Sequence, residues 1–407
     1  MVVFACQRDS FLKEYSTTVL SCEPVQIDHD GSKEKISCYE VVCEDTIIFP
    51  EGGGQPYDVG RMDDVPVFKV LRRGAEAVHY VEKPIDKGTV VKQTIDWERR
   101  LDHMQQHSGQ HLITAIADAM FGYATTSWWL GEEVSHIELN TTSLSQEQVE
   151  QLERAVNEKI REALPVTVAV LQNGDPQLDA ATTRGLPKDH VGDVRIVTIA
   201  SVEANMCCGT HVSNLAQLQS IKLLGFEKGK KGKTNLLFLV GNRVLARLDK
   251  MYKRELELNL LLKNGPDSHM MLIDKLIKSN KTVSKSLQTV LKDGASLEIE
   301  KLKASNPKPT FFFHHRKEAE MDYVNYFIKE LNDPAILLLL VIGDGPECHV
   351  VLNGPPDLVQ NLGPSVAEIL DGKGNGKGGR FQAKCKAMKS LPKAVKLCEA
   401  AATPSAA

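Results

Sequence analysis

The sequence predicts a multidomain α+β protein with four segments: a small N-terminal β-barrel, an α+β domain rich in potential metal ligands, a helical arm and a C-terminal α/β domain. Three patterns carry this expectation. Short β-branched runs separated by turn formers fill residues 1–95. Helical periodicity alternates with isolated strands across 96–248, and a helical pattern with one break fills 249–305. After a proline-containing linker, strand and helix patterns alternate again over 306–407.

A chain of 407 residues with 42% hydrophobic composition has material for several cores. Its net charge of −4 excludes nucleic-acid binding by bulk charge, so any such binding must use local patches. The longest apolar run, Ala335 to Ile342, is too short to span a bilayer, and no secretory signal is expected. Nine cysteines, an odd number, read as the reduced thiols of a cytoplasmic protein, some of them metal ligands.

The expected barrel strands include Ser16–Leu20, Tyr39–Cys43 and Val67–Val70, and Pro66 places the last at a strand start or sheet edge. Asp30-Gly31 and Gly52-Gly53-Gly54 punctuate them. Asp96 is the expected N-cap of a helix from Trp97 to about Met120. Val149, Leu152, Val156 and Ile160 recur at helical spacing over 147–162. Strands are expected at Val166–Leu171, Val194–Ile199 and Leu236–Val240. In the arm, Asn264-Gly265-Pro266-Asp267 breaks the helix. Leu276, Val283, Val290 and Leu297 then recur every seven residues, with Ile273, Asn280 and Leu287 between them. That seam fits either a helix packed on its own domain or a homodimer. Asn306-Pro307-Lys308-Pro309 is the linker. Strands follow at Phe311–His314, Ile336–Ile342 and His349–Leu352, helices at Met321–Leu331 and Leu358–Leu370, and then a Gly/Lys-rich loop.

His103, His107 and His111 are spaced by four and share one helical face. Two imidazoles at such spacing can hold one metal ion. Cys207 and His211 repeat the spacing a hundred residues later. Thiolate and imidazole together suit one Zn²⁺ per subunit, with His107, His111, Cys207 and His211 as ligands. His103 and Glu203 are candidate proton handlers, and Glu203 could equally brace a ligand. A metalloprotease reading is weaker, because His-Ser-Gly-Gln-His lacks the HExxH glutamate.

At these residues a resemblance emerges. His107-Ser108-Gly109-Gln110-His111-Leu112-Ile113 resembles the first editing-domain motif of alanyl-tRNA synthetases. Cys207-Cys208-Gly209-Thr210-His211-Val212 resembles the second, with Cys208 where a glycine is usual. Thr46 to Pro56, extending to Asp58 and Gly60, is similar to the glycine-rich signature of free-standing editing proteins of the AlaX type. The run from Gly372 to Arg380 is similar to the glycine-rich segment of the synthetase's C-terminal domain. No stretch resembles an aminoacylation domain, so the resemblance implies editing in trans.

The reaction so implied is hydrolysis of the ester between serine, or also glycine, and tRNA(Ala). A pocket built for alanine rejects serine poorly, so a second site must remove the error. Thr46 is the expected partner of the serine hydroxyl, while Gly52, Gly53, Gly54 and Gln55 are expected to contact substrate. Two roles for zinc fit the residues: activating water or ester, or shaping the pocket. Residues 372–396 carry eight Lys or Arg and no acid. Lys373, Lys377 and Arg380 among them, and a second basic loop at Lys228–Lys233, suit tRNA phosphates. No membrane partner is expected. The alternative function is a zinc-stabilised RNA-binding or protein-interaction module without catalysis.

Overall fold

A computed structural model describes residues 3–28, 35–172, 175–176, 178, 193–344 and 348–403. The expected turn at Asp30-Gly31 lies outside them. The chain divides into two compact units, Met1–Leu256 and Glu257–Ala407.

The first unit opens with a short helix α1 (Ala5–Arg8) and six strands. These are β1 (Glu14–Asp28), β2 (Lys35–Cys43), β3 (Gly60–Met62), β4 (Val65–Arg73), β5 (Glu76–Val81) and β6 (Val90–Ile95). The sheet closes on itself, because β1 pairs with β2 along one edge and with β6 along the other. Closure removes the exposed edges that a small sheet would otherwise present. A register shift between Val19 and Ser21 lets the fifteen-residue β1 bend to serve both neighbours. Val19, Val41, Val67, Val70, Val81 and Val91 pack in one core with Ile47, Ile48 and Phe49 from the connection between β2 and β3. Pro66 sits at the second position of β4, opposite Arg61 of the three-residue β3.

Asp96 caps the next helix, α2 (Trp97–Phe121), its carboxylate accepting from Arg99 N–H, and Gly122 ends it in a left-handed conformation. Every residue from His103 to Ile113 is buried, so this helix is enclosed rather than amphipathic. Several of its buried polar side chains are bonded to the sheet around it, while His103 Nδ1 and Gln110 Oε1 have no hydrogen-bond partner among the described residues. Gln106 bonds both the carbonyl and the N–H of Val240. Around α2 lie β7 (Thr125–Trp129), β8 (Ser135–Leu139), α3 (Gln146–Arg161), β9 (Val166–Leu171), β10 (Val194–Ile199), β11 (Glu203–Met206), β12 (Ile221–Lys228) and β13 (Thr234–Val240). They form an antiparallel sheet ordered β12-β13-β8-β7 and a smaller one ordered β11-β10-β9. Val149, Leu152, Val156 and Ile160 of α3 are all buried, as their spacing requires.

After α4 (Asn242–Leu262) comes α5 (His269–Ala304), the break between them holding Pro266. In the second unit, α5 buries only Ala295, Ile299 and Leu302 of its C-terminal half, with His269 at its start. Leu276, Val283, Val290 and Leu297 of the heptad seam remain exposed. β14 (Phe311–Arg316), α6 (Met321–Leu331), β15 (Leu337–Ile342), β16 (Cys348–Asn353), α7 (Pro356–Ile369), β17 (Gly372–Lys377), β18 (Arg380–Cys385) and α8 (Leu391–Ala402) complete it. Leu337, Leu339 and Val341 face the core beside α7 and α8, while Leu338, Leu340 and Ile342 face that beside α5 and α6. An uninterrupted apolar run is what a strand covered on both faces needs.

Two expectations change here. The C-terminal sheet is α+β rather than α/β. Only β14 and β15 are parallel, joined across α6, and the remaining pairs are antiparallel: β15–β16 and β17–β18 as hairpins, β16–β18 across α7 and β17. The expected Gly/Lys-rich loop is strand β17. Its glycines alternate, and a Cβ at Gly372, Gly374 or Gly376 would fall within 2.6 Å of atoms of β18. Glycine here answers a close approach of two strands rather than a turn. Among the described residues, no helix is long and apolar enough to cross a membrane.

Candidate metal centre

The two four-residue spacings meet. His107 and His111 on α2 and Cys207 and His211 after β11 bring one ligand atom each to within 4.8 Å of one another. Nε2 of His107 lies 3.4 Å and Nε2 of His211 lies 3.2 Å from Cys207 Sγ. Such edges suit the first shell of a single small cation with N and S ligands.

What aims these atoms is a second set of side chains, one per imidazole. His107 Nδ1 bonds Gln55 Oε1 at 2.9 Å, His111 Nδ1 bonds Glu203 Oε1 at 3.0 Å, and His211 Nδ1 bonds Ser108 Oγ at 3.0 Å. With each Nδ1 occupied, each Nε2 is left for a metal. Gln55 also accepts from Thr210 N–H and donates to Thr210 Oγ1, so the glycine-rich loop and the second motif are locked together. Gly209 is required by close approach: a Cβ there would lie 2.2 Å from His107 Cε1.

The electrostatics fit a thiolate ligand. Burial alone would push the Cys207 thiol up, but the imidazoles of His107, His211 and His111 outweigh it and hold the thiol well below its usual range. Burial drives His211 down to about 3, which keeps it a neutral donor. His111 goes the other way, to about 10. Burial lowers it, but the Cys207 thiolate and the Glu203 carboxylate more than compensate. A divalent cation would satisfy the same thiolate in competition with that proton.

The other expected site residues are distributed as follows. Gly53 and Gly54 have φ of +61° and +79°. A Cβ on Gly53 would lie 2.6 Å from Cys208 Sγ, and one on Gly54 would lie 2.5 Å from Trp128 Nε1. Gly52 is 3.9 Å from Cys208 Sγ on the same measure. The loop thus runs between Cys208 and Trp128, and Trp128 lies 6.5 Å from the His107 ring. Gln55, expected to touch substrate, has its polar atoms committed to His107 and Thr210. Thr46 is buried, and its hydroxyl is surrounded by Ile48 N–H, His79 Nε2 and Gln93 Oε1 at 3.0, 2.8 and 3.0 Å. Burial holds His79 down at about 4, so it is neutral. Glu203 braces His111, one of its two anticipated roles. His103 stands one turn before His107 and faces Asp58. Lys373, Lys377 and Arg380 belong to the other unit, on the β17–β18 hairpin. Arg380 there bonds Asn325, and Lys373 and Lys377 are exposed.

Sequence reasoning missed Ser108, Arg195 and the pair Asp58–Arg100. Arg195 donates to the backbone carbonyls of Gln7 and Cys207, fixing the chain at the thiolate. Arg100 is fully buried and donates to Asp58 at 2.5 and 2.9 Å, to Ser10 O at 2.9 Å and to Ile47 O at 2.5 Å. Ser108 and Asp58 sit inside the recognisable motifs, which was the available signal. For the two arginines nothing local in the sequence marks burial.

Residues 194–236 match the family described as threonyl and alanyl tRNA synthetase second additional domain. The chain is 50% identical over 390 residues to the alanyl-tRNA editing protein Aarsd1-B of Xenopus laevis, covering 95% of each. It is 48% identical over 391 residues to the alanyl-tRNA editing protein Aarsd1 of Mus musculus, again covering 95% of each. It is also 25% identical over 413 residues to the alanine–tRNA ligase of Pyrococcus abyssi, covering 96% of this chain and 43% of the ligase.

Proposed function

Since the chain belongs to the alanyl-tRNA editing protein family, we propose that it is a zinc-containing deacylase that hydrolyses serine from mischarged tRNA(Ala) in trans, with glycine as the second candidate amino acid. The observation that carries this is the convergence of three Nδ1-anchored imidazoles on the Cys207 thiol. One thiolate and three imidazoles are a donor set for Zn²⁺. Bound there, zinc supplies positive charge beside the ester and fixes the shape of the pocket.

The chain's own residues do the rest. Gly52, Gly53 and Gly54 let the loop pass between Cys208 and Trp128, and its backbone is our candidate for contacting the tRNA end. Thr46 is our candidate for reading the serine hydroxyl, which would take a place in the network Thr46 shares with His79 and Gln93. A methyl group cannot take that place, and leaving buried polar groups unpaired costs about 1–3 kcal/mol, enough to spare alanine. Lys373, Lys377 and Arg380 would hold RNA phosphates, and a second copy of the chain is the proposed partner of the exposed α5 seam. The four segments 1–95, 96–248, 249–305 and 306–407 are the proposed functional modules, working in the cytoplasm.

The test is deacylation of Ser-, Gly- and Ala-tRNA(Ala), with and without a chelator. Ser-tRNA(Ala) should be hydrolysed, Ala-tRNA(Ala) spared, and activity lost when metal is stripped. Equal hydrolysis of all three, or of none, would sink the reading. Affinity for tRNA should fall steeply between about 50 and 200 mM salt, by roughly threefold for each phosphate contact. Replacing Lys373 and Lys377 with alanine should flatten that slope, and an unchanged slope would remove them from the interface.

A further inference from the structure

Ester hydrolysis needs a group that takes a proton from the attacking water and one that gives a proton to the leaving oxygen. With His107, His111, Cys207 and His211 all holding one ion, a tetrahedral site would be full, and this demand would fall on the surrounding side chains. Most polar groups that adjoin the cluster are already committed: Glu203 to His111, Gln55 to His107 and Thr210, Ser108 to His211. His103 is not. It lies on the same face of α2 as His107, one turn away, and retains 5% of its exposure.

His103 is also oriented. Its Nδ1 is enclosed and has no hydrogen-bond partner among the described residues, and neither has Asp58 Oδ1, which stands 3.9 Å from it. The other carboxylate oxygen of Asp58 is clamped by Arg100 and by Phe49 N–H at 2.8 Å. Asp58 is therefore fixed in place with one oxygen facing the imidazole. The charged groups in this corner are Asp58 from the β2–β3 connection and, on α2, Arg100. A carboxylate oxygen facing Nδ1 at 3.9 Å favours the tautomer with the proton on Nδ1, which leaves Nε2 free to accept a proton.

We propose that His103 is the proton-transfer residue of the hydrolysis, with Asp58 as its positioning residue. Both assignments rest on the aminoacyl-ester reading above. Water attacks the ester carbonyl, its O–H bond breaks, and the proton passes to His103 Nε2 as the new C–O bond forms. When the carbonyl carbon parts from the ribose oxygen, the imidazolium returns the proton to that oxygen. The products are the free amino acid and the tRNA hydroxyl, and no oxidant or further reactant is needed.

The test compares full-length wild type with His103→Gln, His103→Ala and Asp58→Asn on Ser-tRNA(Ala), with metal content measured for each. Expected for the His103 variants is a fall in kcat of roughly 10²–10⁴-fold, with KM and metal content unchanged. Added imidazole should restore part of the rate to His103→Ala and none to Asp58→Asn. A bracing role alone would show no such rescue. His103→Gln with near wild-type kcat overturns the proposal, as does a loss of rate that tracks loss of metal and resists imidazole. A wild type that hydrolyses no aminoacyl ester overturns the functional reading and this assignment with it.

Discussion

Replacing Cys207 with alanine should strip the metal and abolish hydrolysis together. Cys207 is the only thiolate in the ligand set, and its sulfur is the point on which the imidazole nitrogens converge. Removing it leaves three neutral donors and deletes the one negative charge that balances the ion. Altering a bracing partner alone typically costs about 10–100-fold in affinity or activity, and losing a ligand should cost more. Bound metal, measured by elemental analysis of purified protein, should fall from about one ion per chain to near none. The rate on Ser-tRNA(Ala) should fall with it. Cys208→Ala is the control: its sulfur faces the Gly53 turn, and burial, chiefly, pushes that thiol up to about 11. Retention of metal in that variant and loss in Cys207→Ala separates the two thiols. Full activity in metal-free Cys207→Ala would refute a metal-dependent deacylase.

The second large effect is on stability. Asp58→Ala should lower the free energy of unfolding by about 3–5 kcal/mol, because it leaves the fully buried Arg100 without its counter-charge. Denaturant unfolding followed by circular dichroism measures it. The loss should exceed that for Glu138→Ala, whose partner Lys233 keeps access to solvent. The pH dependence has a definite sign. Burial alone would raise the Asp58 carboxyl, but the Arg100 charge, His103 beside it, and the bonds from Arg100 and Phe49 N–H hold it below its ordinary value. A carboxyl lowered in the folded state stabilises fully above its unfolded value of about 4. That contribution disappears as pH falls through the lower, folded value. Wild type should therefore lose stability in acid more steeply than Asp58→Ala. Parallel acid profiles would show that the pair contributes no charge-dependent stability.

Local pattern carried much of the secondary structure. The β9, β10 and α6 boundaries follow from β-branched runs and helical periodicity alone, and Asp96 and Gly122 are the two ends of α2 for reasons visible in a few residues. Glycine misled where its cause was not local. The alternation in Gly372-Lys373-Gly374-Asn375-Gly376 is a strand period, but the crowding that demands glycine comes from β18. The mixed C-terminal sheet was likewise hidden, because strand direction depends on whether a connection is a hairpin or a crossover.

The same division runs through the metal centre. The sequence by itself singled out the four side chains that the fold brings together, since the spacing of His107 and His111 is fixed by the helical repeat and Cys207 and His211 belong to one short turn. Only the tertiary structure decided how those side chains are aimed. Gln55, Glu203 and Ser108 reach them from 52, 92 and 103 residues away in sequence, and each takes one Nδ1. Asp58 meets Arg100 across 42 residues in the same way. The physical reason is that coordination chemistry is a property of residue type and local spacing. Which nitrogen is free and which charge is balanced are properties of neighbours, and only the folded chain chooses neighbours.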